Sequence, residues 1–219
     1  MFKEIPDLLQ PAQVEALRRI AAGATFVDGR VSNPHSKVKH NLQLHEANAY
    51  QQAAQILLVA LRGHEDFNNF AFPTFIAPPM LTRYGPGMRY GNHYDAAFIR
   101  AGNDTARSDL SCTIFINDPD QYEGGALCVH LGTKDLRFRG RAGSAIVYPS
   151  DSLHEVEPVT SGERLVAISF IQSRVRDPFH RDILYEVSEV AALEGLNMSY
   201  ENMTRLQRVH HNLLRAWSE

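Results

Sequence analysis

Between Phe70 and Gln172 the chain breaks into short β-branched or aromatic runs separated by turn signals at intervals of roughly eight to twelve residues, the pattern of an all-β sandwich or barrel. Up to eight strands are expected: Pro79–Tyr84, Asn92–Phe98, Asp109–Asn117, Ala126–Leu131, Asp135–Arg139, Ser144–Tyr148, Leu153–Pro158 and Arg164–Gln172. The punctuation is Gly85-Pro86-Gly87, Asp118-Pro119-Asp120, Gly124-Gly125, Gly140, Gly143, Pro149-Ser150-Asp151 and Ser161-Gly162. These residues adopt turn geometry at little cost.

Helical periodicity flanks this region. Val14, Leu17 and Ile20 mark an amphipathic helix from Pro11 to Ala22, with Gly23 as its stop. Tyr50, Ala53, Leu57 and Leu61 mark a second from Glu46 to Arg62, ended by Gly63. Both are expected to pack against a sheet. After Ser173, Phe179, Ile183, Val187 and Val190 suggest one helix, and Met203, Leu206, Val209, Leu213 and Leu214 another. This last apolar face could cover the sandwich or a second subunit, giving a homo-oligomer, and the sequence does not choose. With 219 residues and 44% hydrophobic content, one domain with a real core is expected, spanning 1–173, with 174–219 as a C-terminal helical extension.

A formal charge of -3 and a pI near 6.4 argue against nucleic acid or an anionic membrane surface as partner. A small molecule or polypeptide fits better. The start, Met1 to Pro6, does not read as a secretory leader, and the longest apolar run, Ile56–Leu61, is too short to span a bilayer. The cytoplasm is the expected compartment, where Cys112 and Cys128 stay reduced. A hairpin around Asp120 would set those two thiols face to face.

His93 and Asp95 are two apart, so on a strand both side chains leave the same face. His154 follows a turn at Tyr148–Ser152 and opens a strand, which in a double sheet could oppose that pair. Two imidazoles and a carboxylate suit iron(II), leaving positions open for a chelating 2-oxo acid and dioxygen. A closed zinc site needs a fourth ligand that the sequence does not offer. Arg164 lies ten residues past His154. If a hairpin pairs Pro158 with Arg164, its guanidinium shares a face with His154 about 13 Å away along the strand. From there it could grip a distal carboxylate with two parallel hydrogen bonds. A register slip of one residue would turn it outward.

Together His93-Tyr94-Asp95, Gly124-Gly125-Ala126-Leu127, Gly143–Tyr148, His154-Glu155-Val156 and Gly162-Glu163-Arg164-Leu165 resemble the iron and 2-oxoglutarate dioxygenases of the prolyl and lysyl hydroxylase type, specifically the bacterial PKHD-type hydroxylases. Lys39–Leu44 and Arg83–Met88 extend the resemblance over nearly the whole chain. It implies a mostly β fold, a double-stranded β-helix or jelly roll with N-terminal helices and a C-terminal helix pair. It implies iron(II) on His93, Asp95 and His154, 2-oxoglutarate on Arg164, and L-ascorbate as reductant. The implied reaction hydroxylates a peptidyl residue, an amino acid or a siderophore-like small molecule, releasing succinate and carbon dioxide. Asp95 speaks for hydroxylation over halogenation. The glutamate usual after the paired glycines is Ala126 here.

Asn41, Gln43, Tyr84, Arg89 and Tyr90 are candidate contacts to substrate or co-substrate, although Tyr84 could equally cap the sandwich and Asn41 and Gln43 could bond only backbone. His210-His211, adjacent on a helix, do not face one target. The rival readings are a non-catalytic iron- or ligand-binding jelly roll in iron metabolism and a zinc or manganese cupin.

Overall fold

Pro11 and Gly23 bracket the first helix as their chemistry dictates, and the computed structural model, which describes all residues 1–219, builds outward from that start. In chain order the elements are β1 (Lys3–Ile5), α1 (Pro11–Gly23), β2 (Phe26–Asp28), a 3₁₀ turn at Gly29–Ser32, β3 (Lys39–His40), β4 (Leu42–Leu44), α2 (Ala47–Gly63) and α3 (Glu65–Ala71). Next come β5 (Pro73–Ile76), β6 (Met80–Tyr84), β7 (Arg89–His93), β8 (Phe98–Ala101), β9 (Asp104–Arg107), β10 (Leu110–Phe115), β11 (Tyr122–Gly124), β12 (Leu127–Leu131) and β13 (Lys134–Phe138). The chain finishes with β14 (Ala145–Pro149), β15 (His154–Val156), β16 (Val159–Gly162), β17 (Arg164–Ser173), α4 (Pro178–Glu194) and α5 (Tyr200–Trp217).

The larger sheet has eight strands, in the order β1-β14-β10-β17-β6-β4-β2 with β5 also on β17. The smaller has five, in the order β13-β12-β15-β7-β3. From β6 onward the chain passes back and forth between the two sheets (β6, β7, β10, β12–β13, β14, β15, β17), the winding of the expected jelly roll, and β11-β16 and β8-β9 form separate two-stranded ribbons.

The larger sheet is buried on both faces, which explains its near-continuous apolar strands. Leu110, Cys112, Ile114, Ala145, Val147, Leu165, Ala167 and Ile171 point outward and pack under the helices with Leu17, Leu57, Leu61, Phe67 and Phe70. The alternate residues Phe115, Ile146, Tyr148 and Val166 point inward and meet Leu127, Val129 and Val156 of the smaller sheet. Period-two alternation thus assigns one side of each strand to the helical layer and the other to the barrel interior.

Both N-terminal helices and seven of the eight expected strands are present, but the strand expected over Asn92–Phe98 is not: only its ends touch strands, and residues 94–97 are loop. β7 ends at His93 and a loop separates it from β8. Short strands such as β1–β4, β9 and β16 carry too few residues for alternation to be seen. No hairpin forms around Asp120: β10 pairs with β14 and β17, and β12 with β13 and β15, so buried Cys112 and Cys128 lie in different sheets and both are free. The face expected to bury α4 is also rotated. Arg181, Leu184 and Tyr185 are buried, while Phe179 and Val190 are exposed. Arg181 takes that place because its guanidinium donates to the carbonyls of Val175 and Arg176, both at 2.8 Å, tying the helix start to the linker that follows β17. α5 buries no residue.

Leu57→Ala, at a fully buried α2 position, should cost about 2–5 kcal/mol in urea unfolding. Val209→Ser on α5, half exposed, should change stability by less than about 0.5 kcal/mol.

Candidate metal and co-substrate site

Antiparallel pairing of β7 with β15 sets His93 directly against His154, with ring centroids 4.2 Å apart. The two histidines are therefore neighbours in one sheet and do not oppose each other across the barrel. Asp95 reaches them by another route than the expected strand. It lies two residues beyond the end of β7, in the loop, and its carboxylate turns back to lie 3.9 Å from His93 Nε2 and 3.7 Å from His154 Nε2. These gaps are wider than hydrogen bonds, and all three side chains offer ligand atoms within 4.8 Å of one another.

The ring orientation is fixed from behind. His93 Nδ1 donates to Gly91 O and His154 Nδ1 to Ser152 O, each at 2.9 Å. A carbonyl only accepts, so the proton sits on Nδ1 and both Nε2 lone pairs face Asp95, the arrangement a metal-ligating histidine requires. Ser111 Oγ donates to Asp95 Oδ2 at 2.6 Å and is linked through Ser150 Oγ to Ser108 Oγ, each step 2.8 Å. Burial and the neighbouring His154 hold the His93 pKa down to about 4. Burial raises that of Asp95, opposed by His154 and Ser111. Two imidazoles with their Nε2 atoms turned toward one buried carboxylate fit a divalent cation.

Arg164 enters the same cavity from the larger sheet. No hairpin joins β15 to β17, so the register condition on Pro158 does not arise. Arg164 points inward because it alternates in phase with Val166, Ile168 and Phe170, and it pairs with Tyr84 of β6. It is 1% exposed, and its Nε, Nη1 and Nη2 have no hydrogen-bond partner. The guanidinium lies 5.0 Å from the Tyr84 ring centroid and 6.0 Å from that of Phe115. Gly125, at φ +62°, makes room for it: a Cβ there would lie 2.8 Å from Val159 Cγ2 and 3.0 Å from Arg164 Cδ. A built cradle around an unpartnered buried cation fits a carboxylate ligand.

The cavity holding both groups measures about 460 Å³. Tyr84 lines it and accepts a hydrogen bond from Asn41 Nδ2 at 2.8 Å, so Asn41 serves a side chain and not the backbone. Gln43 likewise donates to Ser32 Oγ, at 3.0 Å. Tyr90 stacks on His93 at 3.6 Å between centroids. Arg89 is exposed and does not line the cavity. Sequence reasoning missed Ser111, Thr113 and Tyr148, whose inward phase on β10 and β14 was the available signal, and Lys39, whose two-residue strand gives none.

Cys128, His130 and Asp135 also gather on the outer side of the smaller sheet. There, His130 is satisfied by Asp135 and Asn92, each at 2.7 Å. His210 bonds Ser188 Oγ at 3.2 Å and shares no target with His211.

A jelly roll with two histidines and an aspartate at one end of its cavity and a buried arginine at the other has the architecture of a non-haem oxygenase. Residues 79–172 match the family model described as the 2OG-Fe(II) oxygenase superfamily. A PKHD-type hydroxylase of Sphingopyxis alaskensis is 58% identical over 217 residues, covering 99% of each chain. One from Stenotrophomonas maltophilia is 41% identical over 224 residues, covering all of both. The chain belongs to the PKHD-type hydroxylases of this superfamily and is an oxidoreductase.

Among solved structures, a Pseudomonas putida prolyl-4-hydroxylase aligns with TM-score 0.53 at 22% identity, covering 79% of this chain and 92% of its own. A Trichoplax adhaerens prolyl hydroxylase, in complex with a hypoxia inducible factor peptide, aligns with TM-score 0.54 at 16% identity, covering 78% and 83%. Both show the shared fold. No helix here is long and apolar enough to cross a membrane.

In the metal-free protein, a His93 pKa near 4 against 6.5 for the free side chain means that the unfolded state binds more protons within that window. Stability should fall as pH drops from 6.5 to 4, by up to about 3 kcal/mol from this group. The raised Asp95 pKa acts with the opposite sign, costing stability as pH rises. Comparing wild type with His93→Gln by urea unfolding across this range isolates the histidine. A flatter acid limb in the variant is expected, and equal slopes would contradict a buried neutral His93.

Proposed function

We propose that His93, Asp95 and His154 hold iron(II), that Arg164 holds the distal carboxylate of 2-oxoglutarate, and that the enzyme hydroxylates a C–H bond of a substrate entering beside the loop after β7. The observation carrying this reading is Arg164, a buried guanidinium with all three nitrogens unpartnered, in the same cavity as the three convergent ligand atoms. When bound, iron(II) supplies the redox chemistry that couples loss of carbon dioxide from 2-oxoglutarate, giving succinate, to insertion of one oxygen atom of O₂ into the substrate.

The protein's part is placement and exclusion of water. The Gly91 and Ser152 carbonyls fix the imidazoles, and Ser111 fixes the carboxylate. Arg164 sets the direction of the co-substrate along the barrel, and the Tyr84 and Phe115 rings keep its guanidinium dry. Tyr94 and Phe98, 62% and 63% exposed, stand by the opening where substrate would arrive. L-ascorbate as reductant and the cytoplasm as compartment belong to the same reading, supported by the family resemblance. So does association of two copies through the C-terminal helices, supported by the exposed apolar residues Leu193, Leu196 and Tyr200.

Purified protein with iron(II) and O₂ should convert 2-oxoglutarate to succinate. The complete absence of turnover under any substrate would favour the non-catalytic binding module. Arg164→Met should keep metal affinity but weaken 2-oxoglutarate binding by about 100-fold or more. Arg164→Lys should not restore it, since an ammonium lacks the two-pronged geometry. Asp95→Ala should lose metal affinity first.

A further inference from the structure

Lys39 is a second cation in the cavity. It lies on β3, at the edge of the smaller sheet beside Tyr90, and is 8% exposed. Its Nζ donates to Ser32 Oγ at 2.7 Å and stands 5.3 Å from the Tyr90 ring centroid, and that ring is itself stacked on His93. An ammonium has three donors, and Ser32 satisfies one. No carboxylate forms an ion pair with it; Asp95 and Asp28 act only at a distance, and desolvation lowers its pKa to about 8. Gln43 converges on the same place, its Nε2 on Ser32 Oγ at 3.0 Å and its Oε1 buried without any donor. Spare donors and a spare acceptor thus sit around one serine, one aromatic ring from the proposed metal.

Charge balance sharpens this. A divalent cation, Arg164 and Lys39 set against Asp95 leave three positive charges inside. 2-Oxoglutarate neutralises two. Arg100, at the rim, is exposed and screened by water. The unmatched charge in the cavity lies on Lys39, and a carboxylate is the group that meets it there.

We propose that Lys39, Gln43 and Ser32 form the substrate's anchoring point and that the substrate is a free α-amino acid, its carboxylate on Lys39 and its amino group on Gln43 Oε1. The proposal rests on the oxygenase reading of the cavity, with 2-oxoglutarate on Arg164. A carboxylate beside a hydrogen-bond donor is the head group that matches a spare cationic donor beside a spare acceptor, and an internal peptide residue has no such carboxylate. The side chain would then project past Tyr90 toward the histidines.

The test uses protein loaded with zinc(II) and 2-oxoglutarate, which binds without turning over, melted with each of the twenty L-amino acids. At least one should raise the melting temperature, and its carboxamide should need about tenfold more for the same shift. Lys39→Met should abolish the amino-acid shift while keeping the shift induced by 2-oxoglutarate. Without ligands it should melt no lower than wild type, because it removes a buried unpaired charge. Gln43→Leu should weaken the amino acid about tenfold and leave binding of its deaminated analogue unchanged. No shift with any amino acid, an equally effective carboxamide, a shift retained in Lys39→Met, or a Lys39→Met protein that melts below wild type would each overturn the proposal. Absence of any 2-oxoglutarate shift in wild type would instead sink the underlying oxygenase reading.

Discussion

Arg164 puts a positive charge inside the barrel with no protein acceptor and no carboxylate in contact. An isolated buried ion costs several kcal/mol, so the surrounding fold has to hold it there. Its β17 neighbours Leu165 and Ala167 are locked under the helical layer, which forces the alternate residues inward. Turning Arg164 out to water would expel that whole apolar row from the helical core. Gly125 leaves the space its side chain fills, and Tyr84 and Phe115 face its guanidinium. A carboxylate bound to the guanidinium, as proposed, would offset that desolvation cost.

The other end of the cavity depends on one register. Pairing His154 with His93 places both imidazoles on the barrel side of the smaller sheet, and two backbone carbonyls orient them. Asp95 completes the set from a loop, held by a serine relay running into the larger sheet. The two sheets are thereby joined through the candidate metal site as well as through their apolar interior. A metal and a co-substrate bound as proposed would each stabilise an arrangement that the packing has already prepared.

Legibility in the sequence follows the physics of each element. β10, β14 and β17 lie between two apolar layers, so their runs stand out, and α1 and α2 show their periodicity with clear stops. Strands β1–β4 are two or three residues long and leave no pattern. His93 and Asp95 were found through a same-face argument whose premise fails, since the strand ends between them; the motif survived because the loop reconverges the side chains. The inward direction of Arg164 was expected through a hairpin that does not exist. Long-range pairing, which no local spacing encodes, decided both cases. Lys39, lodged in a two-residue strand, became visible only once the cavity was assembled.

The central claim is that Arg164 waits for the distal carboxylate of 2-oxoglutarate. Its most direct measurement is the side-chain Nε–H resonance of Arg164, assigned by loss in Arg164→Met and followed by ¹⁵N NMR as 2-oxoglutarate is titrated into the zinc(II)-loaded protein. A saturable shift of that resonance, tracking binding and absent when the distal carboxylate is replaced by a carboxamide, is the expected result. Binding of 2-oxoglutarate that leaves the Arg164 resonance unmoved would contradict it.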